Sequence, residues 1–344
     1  MPRLLCAAIL ASAATLSTLH GGASLADAAE PADSPRNVIV VTFDGFRRQD
    51  FFTGAEAGLC DSKFGGAKEP QETQRKYLRE TAEQRREILL PFLWGVVAKQ
   101  GQIFGDPGNN APCRLTNGLK FSYPGYNEMF TGKPDPRVIS NNKINNPNLT
   151  VLEFLQGKPA FKGRVAAFCT WDVFPFIFRA ETSGVHVQLG WNPLRDEPLT
   201  PGQKQVNELI EQLPRYWPGN SFDILTMQGA REHLIKNKPR VLYIGLGETD
   251  EWAHGRRYDL YLDAAHRSDR YIADLWQLLQ TMPEYKDRTN LIITTDHGRG
   301  GDRETWVNHD KNTENGEYIW MAAFGPDVAP LGVRRDVETT QSQL

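Results

Sequence analysis

The chain has 344 residues, of which 40% are hydrophobic and 24% are charged, an ordinary composition for a globular protein with one large or two modest cores. The formal net charge of −3 at pH 7 provides no basic surface for following a nucleic-acid backbone. We therefore expect no nucleic-acid polymer as a partner, whereas a small anion held by local groups is compatible with this charge.

The N-terminus has the pattern of a secretory signal peptide. Arg3 precedes an apolar run over residues 4–19, and small residues suited to cleavage follow at residues 24–28. The run is shorter than the ~20 apolar residues that cross a membrane. We expect residues 1–28 to be a signal peptide and the mature protein to be secreted or periplasmic, without a membrane span; an uncleaved anchor is the alternative.

Largely apolar runs of strand length alternate with helical patterns along the rest of the chain. Such runs are typical of strands buried on both faces of a parallel sheet. Strands alternating with helices predict a doubly wound α/β fold. The predicted strands are Asn37–Phe43, 165–168, Val241–Leu246, 291–295 and 320–324, and the helical patterns cover 71–100, 203–213, 223–236 and 258–282.

No linker divides the chain, so residues 29–344 are predicted to form a single domain. Residues 171–201 are rich in proline and aromatic residues with weak periodicity, and they are predicted to be an insertion that covers the site. Aromatic residues near loop sequence could form a slot for a substrate ring, with burial in the core as the alternative. These residues are Phe46, Phe51, Trp171, Phe174, Phe176 and Trp191.

Three cysteines follow the predicted signal peptide. An oxidising compartment permits one disulfide, and we expect Cys60 to pair with Cys113 because both lie in loop-like sequence. Cys169 follows an apolar stretch and is predicted to be buried. The sequence does not determine the pairing, and the absence of a CxxC motif argues against a thiolate zinc site.

Aspartate and histidine residues occur at or just beyond the ends of predicted strands. The carboxyl ends of parallel strands lie on one edge of a sheet, where ligands bind. Carboxylate and imidazole together suit zinc-like ions, and six such groups suffice for two ions. Each residue alone could be a helix cap or a chance match, so the inference depends on their joint occurrence. The candidate ligands are Asp44, Asp250, His254, Asp296, His297 and His309.

A serine followed by Tyr-Pro begins another predicted helix. Ser122-Tyr123-Pro124, with Thr131-Gly132 at the end of the same helix, resembles the alkaline phosphatase superfamily, and most of all its nucleotide pyrophosphatase/phosphodiesterase branch. Asn142-Lys143 matches the branch's phosphoryl-contacting asparagine, and the resemblance extends over about residues 38–326. It implies a three-layer αβα sandwich with a mostly parallel central sheet.

The resemblance also implies roles for the individual residues. Ser122 would be the nucleophile that forms a covalent seryl-phosphate, with its N-cap position as the alternative explanation. Asn142 would stabilise phosphoryl oxygens, unless its segment is a plain turn. Two divalent ions, zinc or alternatively manganese, would be bound. One ion would be held by Asp44, Asp296, His297 and the Ser122 oxygen, and the other by Asp250, His254 and His309.

We therefore predict a two-metal hydrolase of small phosphate esters, either monoesters or diesters. A sulfatase of the same superfamily is one alternative, but Tyr126 occupies the position where sulfatases carry an arginine. A non-catalytic protein that binds phosphate groups is another. The intact set of ligands and nucleophile favours an enzyme, because a decayed enzyme commonly loses at least one of them.

Overall fold

The computed structural model describes residues 36–344, so the predicted signal peptide lies outside the described residues. Eight strands form the central sheet in the order β10-β2-β9-β7-β1-β6-β4-β5. The five neighbours from β7 to β5 run parallel, and β9 is antiparallel to both β7 and β2. The predicted α/β fold with a mostly parallel sheet is confirmed.

The strands of this sheet are β1 (Asn37–Phe43), β2 (Gln102–Phe104), β4 (Val165–Cys169), β5 (His186–Leu189), β6 (Val241–Leu246), β7 (Thr289–Thr294), β9 (Met321–Phe324) and β10 (Gly332–Val333). A small second sheet contains β3 (Cys113–Arg114), β8 (Tyr318–Ile319) and β11 (Thr339–Thr340) in the order β11-β3-β8. The bounds predicted for β1 and β6 match those of the structure. Both strands are covered on two faces, and their sequences are apolar for that reason.

The helices are α1 (Arg48–Thr53), α2 (Pro70–Tyr77), α3 (Ala82–Leu89), α4 (Ala98–Gln100), α5 (Ser122–Thr131), α6 (Val151–Gln156), α7 (Phe174–Ile177), α8 (Ala180–Ser183), α9 (Pro201–Gln212), α10 (Asp223–Asn237), α11 (Glu248–His254) and α12 (Tyr258–Thr281). A π-helical turn, Leu93–Val97, precedes α4. The long helices α9, α10 and α12 lie where the sequence predicts them.

Each face of the sheet packs against its own layer of helices. Along β1, Ile39 and Val41 belong to the larger hydrophobic core with α10 and α12, whereas Val40 belongs to a second core with α5 and α7. This alternation follows from the two-residue period of side chains on a strand. The result is the predicted three-layer αβα sandwich.

The helical pattern over residues 71–100 is not one helix. It is divided into α2, α3, the π-helical turn and α4. The Thr81 hydroxyl accepts a hydrogen bond from the Gln84 N–H and begins α3, which separates it from α2. Farther along, the amides of Phe92 and Leu93 donate to Asp269 of α12, so a tertiary contact decides this break.

Residues 171–201 are not an irregular loop, because they contain α7, α8 and the edge strand β5. The Phe174 ring packs against Tyr126 of α5 with ring centroids 4.7 Å apart. The segment is therefore built into the sandwich. Its role in covering the site, and the single domain itself, stay predictions.

For four of the six aromatic residues considered for a substrate slot, the structure favours the alternative, which is burial in the core. Phe46, Phe51, Phe174 and Trp191 are buried in the cores. For example, Phe51 stacks on the buried Trp320 at a centroid distance of 4.0 Å. Burial of aromatic area stabilises the fold, and these rings face the helix layers rather than solvent.

The predicted disulfide between Cys60 and Cys113 is also wrong. Cys60, Cys113 and Cys169 are all free and buried, as predicted for Cys169 alone. Each packs in a different hydrophobic cluster, so the fold keeps the three sulfur atoms apart. Within residues 36–344, no helix combines the length and the apolar character needed to cross a membrane.

Candidate metal centre

Three neighbouring strands carry the predicted ligands to one edge of the sheet. β1 lies between β6 and β7, and all three run parallel. Asp44 follows β1, and Asp296 and His297 follow β7. Helix α11 follows β6 and brings Asp250 to the same edge, so strand order places side chains together that are far apart in sequence.

The first group of side chains consists of Asp44, Asp296 and His297, all of them buried. The His297 Nε2 lies 3.4 Å from Asp44 Oδ1 and 3.6 Å from Asp296 Oδ2. These two carboxylate oxygens are buried without a hydrogen-bond partner. Buried carboxylate oxygens that lack a partner are costly, and a cation placed among them would remove that cost.

The His297 ring is oriented for coordination through Nε2. Its Nδ1 lies 3.0 Å from the Gly298 carbonyl, which fixes the proton on Nδ1 and leaves a lone pair on Nε2 when the ring is neutral. Burial, reinforced by the adjacent Asp44 carboxylate, raises the pKa of Asp296 to about 7. Although burial disfavours its charged form, the two carboxylates raise the pKa of His297 to about 9. Both raised pKa values show that this group of side chains favours bound positive charge, which protons on Asp296 and His297 provide when no cation is bound.

The second group consists of Asp250, His254 and His309. The His254 Nε2 lies 2.9 Å from the His309 Nε2 and 3.2 Å from Asp250 Oδ2. Burial first, and the nearby His297 second, lower the pKa of both histidines, so neutral imidazoles able to bind a metal are favoured. The His309 ring stacks on His297 with ring centroids 3.9 Å apart, which joins the two groups.

Ser122 lies beside the first group. It is the first residue of α5, is 5% exposed, and its Oγ is 3.4 Å from the His297 Nε2. Helix α5 approaches this edge closely at Gly125, where a Cβ atom would lie only 2.4 Å from the Asp296 carbonyl oxygen. The structure thus brings all six predicted ligands and the predicted nucleophile into one cluster. Their roles as ligands and nucleophile stay predictions.

Asn142 is exposed, and its backbone N–H donates to the Ser140 hydroxyl at 3.3 Å. Its neighbour Asn141 instead reaches the start of α5, where the Asn141 Oδ1 accepts a hydrogen bond of 2.9 Å from the Tyr123 N–H. Asn141 and Asn142 are adjacent in an asparagine-rich segment, and only Asn142 was predicted to have a role in the site. The predicted role of Asn142 in contacting phosphoryl oxygens stays untested.

Arg299 is a component of the site that sequence reasoning missed. Its guanidinium is buried, donates to the Gly45 carbonyl at 2.9 Å, and forms an ion pair with the Asp250 carboxylate. Burial lowers the pKa of Arg299 to about 9. The position of Arg299, two residues after His297 at the end of a buried strand, was a usable sequence signal. Its partner Asp250 could not be identified in this way, because it is 49 positions away in the sequence.

Tyr126 and Thr249 support Asp44. The Tyr126 hydroxyl donates to Asp44 Oδ2 at 2.9 Å, and the Thr249 hydroxyl donates to the Asp44 carbonyl at 2.6 Å. Hydrogen bonds of this kind orient metal-binding carboxylates. A usable sequence signal existed for Tyr126, because it lies four residues after Ser122 and therefore on the same face of α5.

Comparison with known proteins identifies the family of this chain. A family model described as type I phosphodiesterase / nucleotide pyrophosphatase matches residues 69–318, more than half of the chain. The protein belongs to this family. The predicted resemblance to the alkaline phosphatase superfamily is thereby confirmed at the level of the family. A search of curated proteins found no match for this phosphodiesterase-family member.

Solved structures share the fold of this type I phosphodiesterase family member. Phosphonate monoester hydrolase of Agrobacterium radiobacter is 12% identical, with a TM-score of 0.50 and coverage of 89% of this chain and 71% of that one. The enzyme SpPMH from Silicibacter pomeroyi, also a phosphonate monoester hydrolase, is 14% identical, with a TM-score of 0.50 and coverage of 90% and 71%. The lipoteichoic acid synthase LtaP from Listeria monocytogenes is 11% identical, with a TM-score of 0.52 and coverage of 90% and 70%.

Identities this low support the shared fold alone. The chain spans 64% of the length of another matched structure, a protein of the alkaline phosphatase superfamily from Vibrio parahaemolyticus. Family membership and the fold together support an ester hydrolase of the alkaline phosphatase superfamily. The family is metal-dependent, and the clustered carboxylates and imidazoles are candidate ligands.

Proposed function

We propose that the protein hydrolyses small phosphate esters through a covalent seryl-phosphate on Ser122, with two divalent metal ions held by the clustered side chains. Zinc is the proposed ion, because it accepts both imidazole and carboxylate ligands, and manganese is the alternative. The observation that carries the proposal is the convergence of the Ser122 hydroxyl with the His297 imidazole, 3.4 Å away, beside carboxylate oxygens that have no other partner.

The residues present fit two ions. Asp44, Asp296 and His297 offer two buried oxygens and one imidazole nitrogen to the first, and Asp250, His254 and His309 offer one carboxylate and two imidazoles to the second. When bound, such ions would polarise the phosphoryl group and make the serine hydroxyl and water more nucleophilic. The ion pair of Arg299 with Asp250 would hold that carboxylate in place.

The chain's own groups account for the first displacement. Ser122 begins a helix of 10 residues, and the N-terminus of a helix favours an anion. A phosphate ester held there would lie beside the Ser122 hydroxyl. The Ser122 oxygen would bond to phosphorus as the bond from phosphorus to the alcohol oxygen breaks, and the hydroxyl proton would be balanced by the proton that the alcohol takes up on leaving. The Tyr123 N–H already donates a hydrogen bond to the Asn141 side chain. A phosphoryl oxygen would therefore have to displace the Asn141 Oδ1 to accept from this N–H.

The second displacement needs water on the side opposite the serine. Within the second group, the His254 side chain is 50% exposed, whereas those of Asp250 and His309 are 14% and 8% exposed, so His254 marks the side from which water can enter. Water entering on that side would attack the seryl-phosphate, and the bond between phosphorus and the Ser122 oxygen would break. Phosphate, or a phosphate monoester when the substrate is a diester, would then leave by the same opening.

The nucleophile is tested by Ser122→Ala. We expect the variant to retain bound metal but to lose most turnover, since the first displacement lacks its attacking oxygen. Ser183→Ala is the matched control, because the Ser183 Oγ accepts its hydrogen bond from the Val185 backbone far from the cluster. If Ser122→Ala hydrolysed esters at the parental rate, the covalent route would be wrong.

The substrate class is tested by comparing chromogenic phosphate monoester, phosphate diester and sulfate ester, each with and without chelator. We expect phosphate-ester turnover that chelator abolishes. Sulfate-ester hydrolysis alone would favour the sulfatase alternative, although Tyr126 is bonded to Asp44 at the position of the sulfatase arginine. No turnover of any ester by metal-loaded protein would favour a binding protein.

We also retain the proposal that the protein is secreted or periplasmic. It is supported by the signal-like pattern of residues 1–28. N-terminal sequencing of the protein exported by a bacterial host would test it. An unprocessed chain in the cytoplasmic fraction would contradict the proposal.

A further inference from the structure

A second group of side chains of the kinds that bind metals, two histidines and one aspartate, lies outside the candidate metal centre. His186 begins β5, Asp196 lies in the connection from β5 to α9, and His233 belongs to α10. One ligand atom from each lies within 4.8 Å of the others. Asp196 and His233 are 37 positions apart in the sequence, so this grouping depends on the tertiary structure.

The set lies near the opposite edge of the sheet from the candidate metal centre. His186 pairs with Ala166 at the beginning of β4, and β4, β6 and β1 run parallel to β5. Asp44, by contrast, follows the last residue of β1. The two sets of side chains are therefore separated by the length of the strands.

The His186 imidazole has an unsatisfied nitrogen. Its Nε2 is buried and has no hydrogen-bond partner. A neutral imidazole carries one donor and one acceptor nitrogen, and most buried polar atoms of this kind are paired. An ion at Nε2 would supply the missing interaction.

Both imidazoles are kept neutral by their surroundings. The His186 and His233 rings stack with centroids 4.5 Å apart, and the Phe168 ring packs against both. Burial is the main cause that lowers the pKa of both histidines. For His233 the adjacent His186 adds to this effect, and the pKa is lowered to about 4. The neutral ring is the form that binds metal.

The Asp196 carboxylate is oriented toward the histidines. Its Oδ2 lies 3.1 Å from the His233 Nδ1 and accepts a hydrogen bond of 2.8 Å from Asn237. The Lys236 ammonium contacts the Asp196 carbonyl and donates to the Pro198 carbonyl at 2.9 Å, which ties this connection to α10. The Asp196 side chain is 31% exposed, so an ion and a coordinating water can enter from solvent.

We propose that His186, Asp196 and His233 bind one divalent transition-metal ion of the zinc type, with water as a further ligand. Two imidazoles and one carboxylate are a usual ligand set for such an ion. The ion would join the edge strand β5 to α10 and to the connection before α9, and so act as a structural clamp. The simpler alternative is a metal-free hydrogen bond between His233 and Asp196.

The test is metal stoichiometry of the full chain. Protein stripped with chelator is titrated with zinc, and cobalt is used in parallel because its absorption reports the coordination geometry. We expect Asp196→Asn and His186→Gln to bind one equivalent fewer than the parent. His266→Gln is the matched control, since the His266 Nδ1 is bonded to the Leu89 carbonyl instead, and it should bind the parental number.

Two further measurements separate this site from the proposed catalytic centre. Asp196→Asn reloaded with zinc should hydrolyse phosphate esters at the parental rate, because its side chain is remote from Ser122. Zinc-soaked crystals should show anomalous scattering among the three side chains even in a Ser122→Ala variant. Equal metal content in the parent and in folded Asp196→Asn and His186→Gln, without such scattering, would overturn the proposal.

Discussion

Gly45 lies at the centre of the candidate metal site and has no room for a side chain. Its φ of +58° is in the left-handed region. An added Cβ would lie 2.8 Å from the Asp250 Oδ1, 2.8 Å from the Arg299 Nη2 and 2.9 Å from the His297 Cε1. We therefore expect Gly45→Ala to push apart the side chains that both proposed ions require.

The magnitude follows from two effects. The left-handed conformation costs an alanine roughly 1–2 kcal/mol, and overpacking in a closely packed region adds roughly 1–3 kcal/mol. Gly45→Ala should thus lower the free energy of unfolding by about 2–5 kcal/mol. The matched control is Gly163→Ala, where φ is +73° but no atom lies within 4 Å of the added Cβ, so only the backbone effect of about 1–2 kcal/mol should appear.

The assay is urea unfolding of both variants at a fixed zinc concentration, together with metal content and turnover of a chromogenic phosphate ester. Gly45→Ala should lose metal and most turnover, whereas Gly163→Ala should keep both. Equal destabilisation of the two variants, with parental metal content and turnover in Gly45→Ala, would refute the reasoning from close contact.

Three other outcomes are expected. Tyr126→Phe removes the hydrogen bond to Asp44 Oδ2 and should weaken metal binding by about 10- to 100-fold, whereas Tyr243→Phe, which loses a bond to Thr42, should not. Burial raises the pKa of Asp269 to about 7. Between about pH 4 and pH 7 the folded protein therefore holds a proton on Asp269 that the unfolded chain has lost. The free energy of unfolding should fall with rising pH in this range, by up to about 1.4 kcal/mol per pH unit. Asp269→Asn should flatten that slope in denaturant titrations, and an unchanged slope would argue against the assignment. The buried thiols should react with a thiol reagent only after unfolding, as mass spectrometry of the labelled peptides would show; these thiols are Cys60, Cys113 and Cys169.

Much of the fold was accessible from sequence, because it depends on local pattern. The continuous apolar runs of β1 and β6 indicated strands buried on both faces, and their predicted bounds agree with the structure. Polar residues after such strands mark one edge of a parallel sheet, which is why six scattered aspartates and histidines could be proposed as one cluster. The structure brings these six side chains together.

Other features could not be predicted, because distant contacts decide them. The break after α3 depends on a hydrogen bond from the Phe92 N–H to the Asp269 carboxylate, and the two residues are 177 positions apart. The short strand β5 was hidden, because its four residues are too few for a clear period. The disulfide expectation failed for the same reason: loop-like sequence says nothing about the distance between Cys60 and Cys113.

The sequence by itself determined the strand-ending carboxylates and imidazoles and the serine at the start of a helix, since these follow from residue type and short-range spacing. Only the tertiary structure decided that Arg299 pairs with Asp250, that Tyr126 supports Asp44, and that His186 meets His233. Such pairings depend on strand order and helix packing, which arise from the burial of the whole core rather than from any local stretch of the chain.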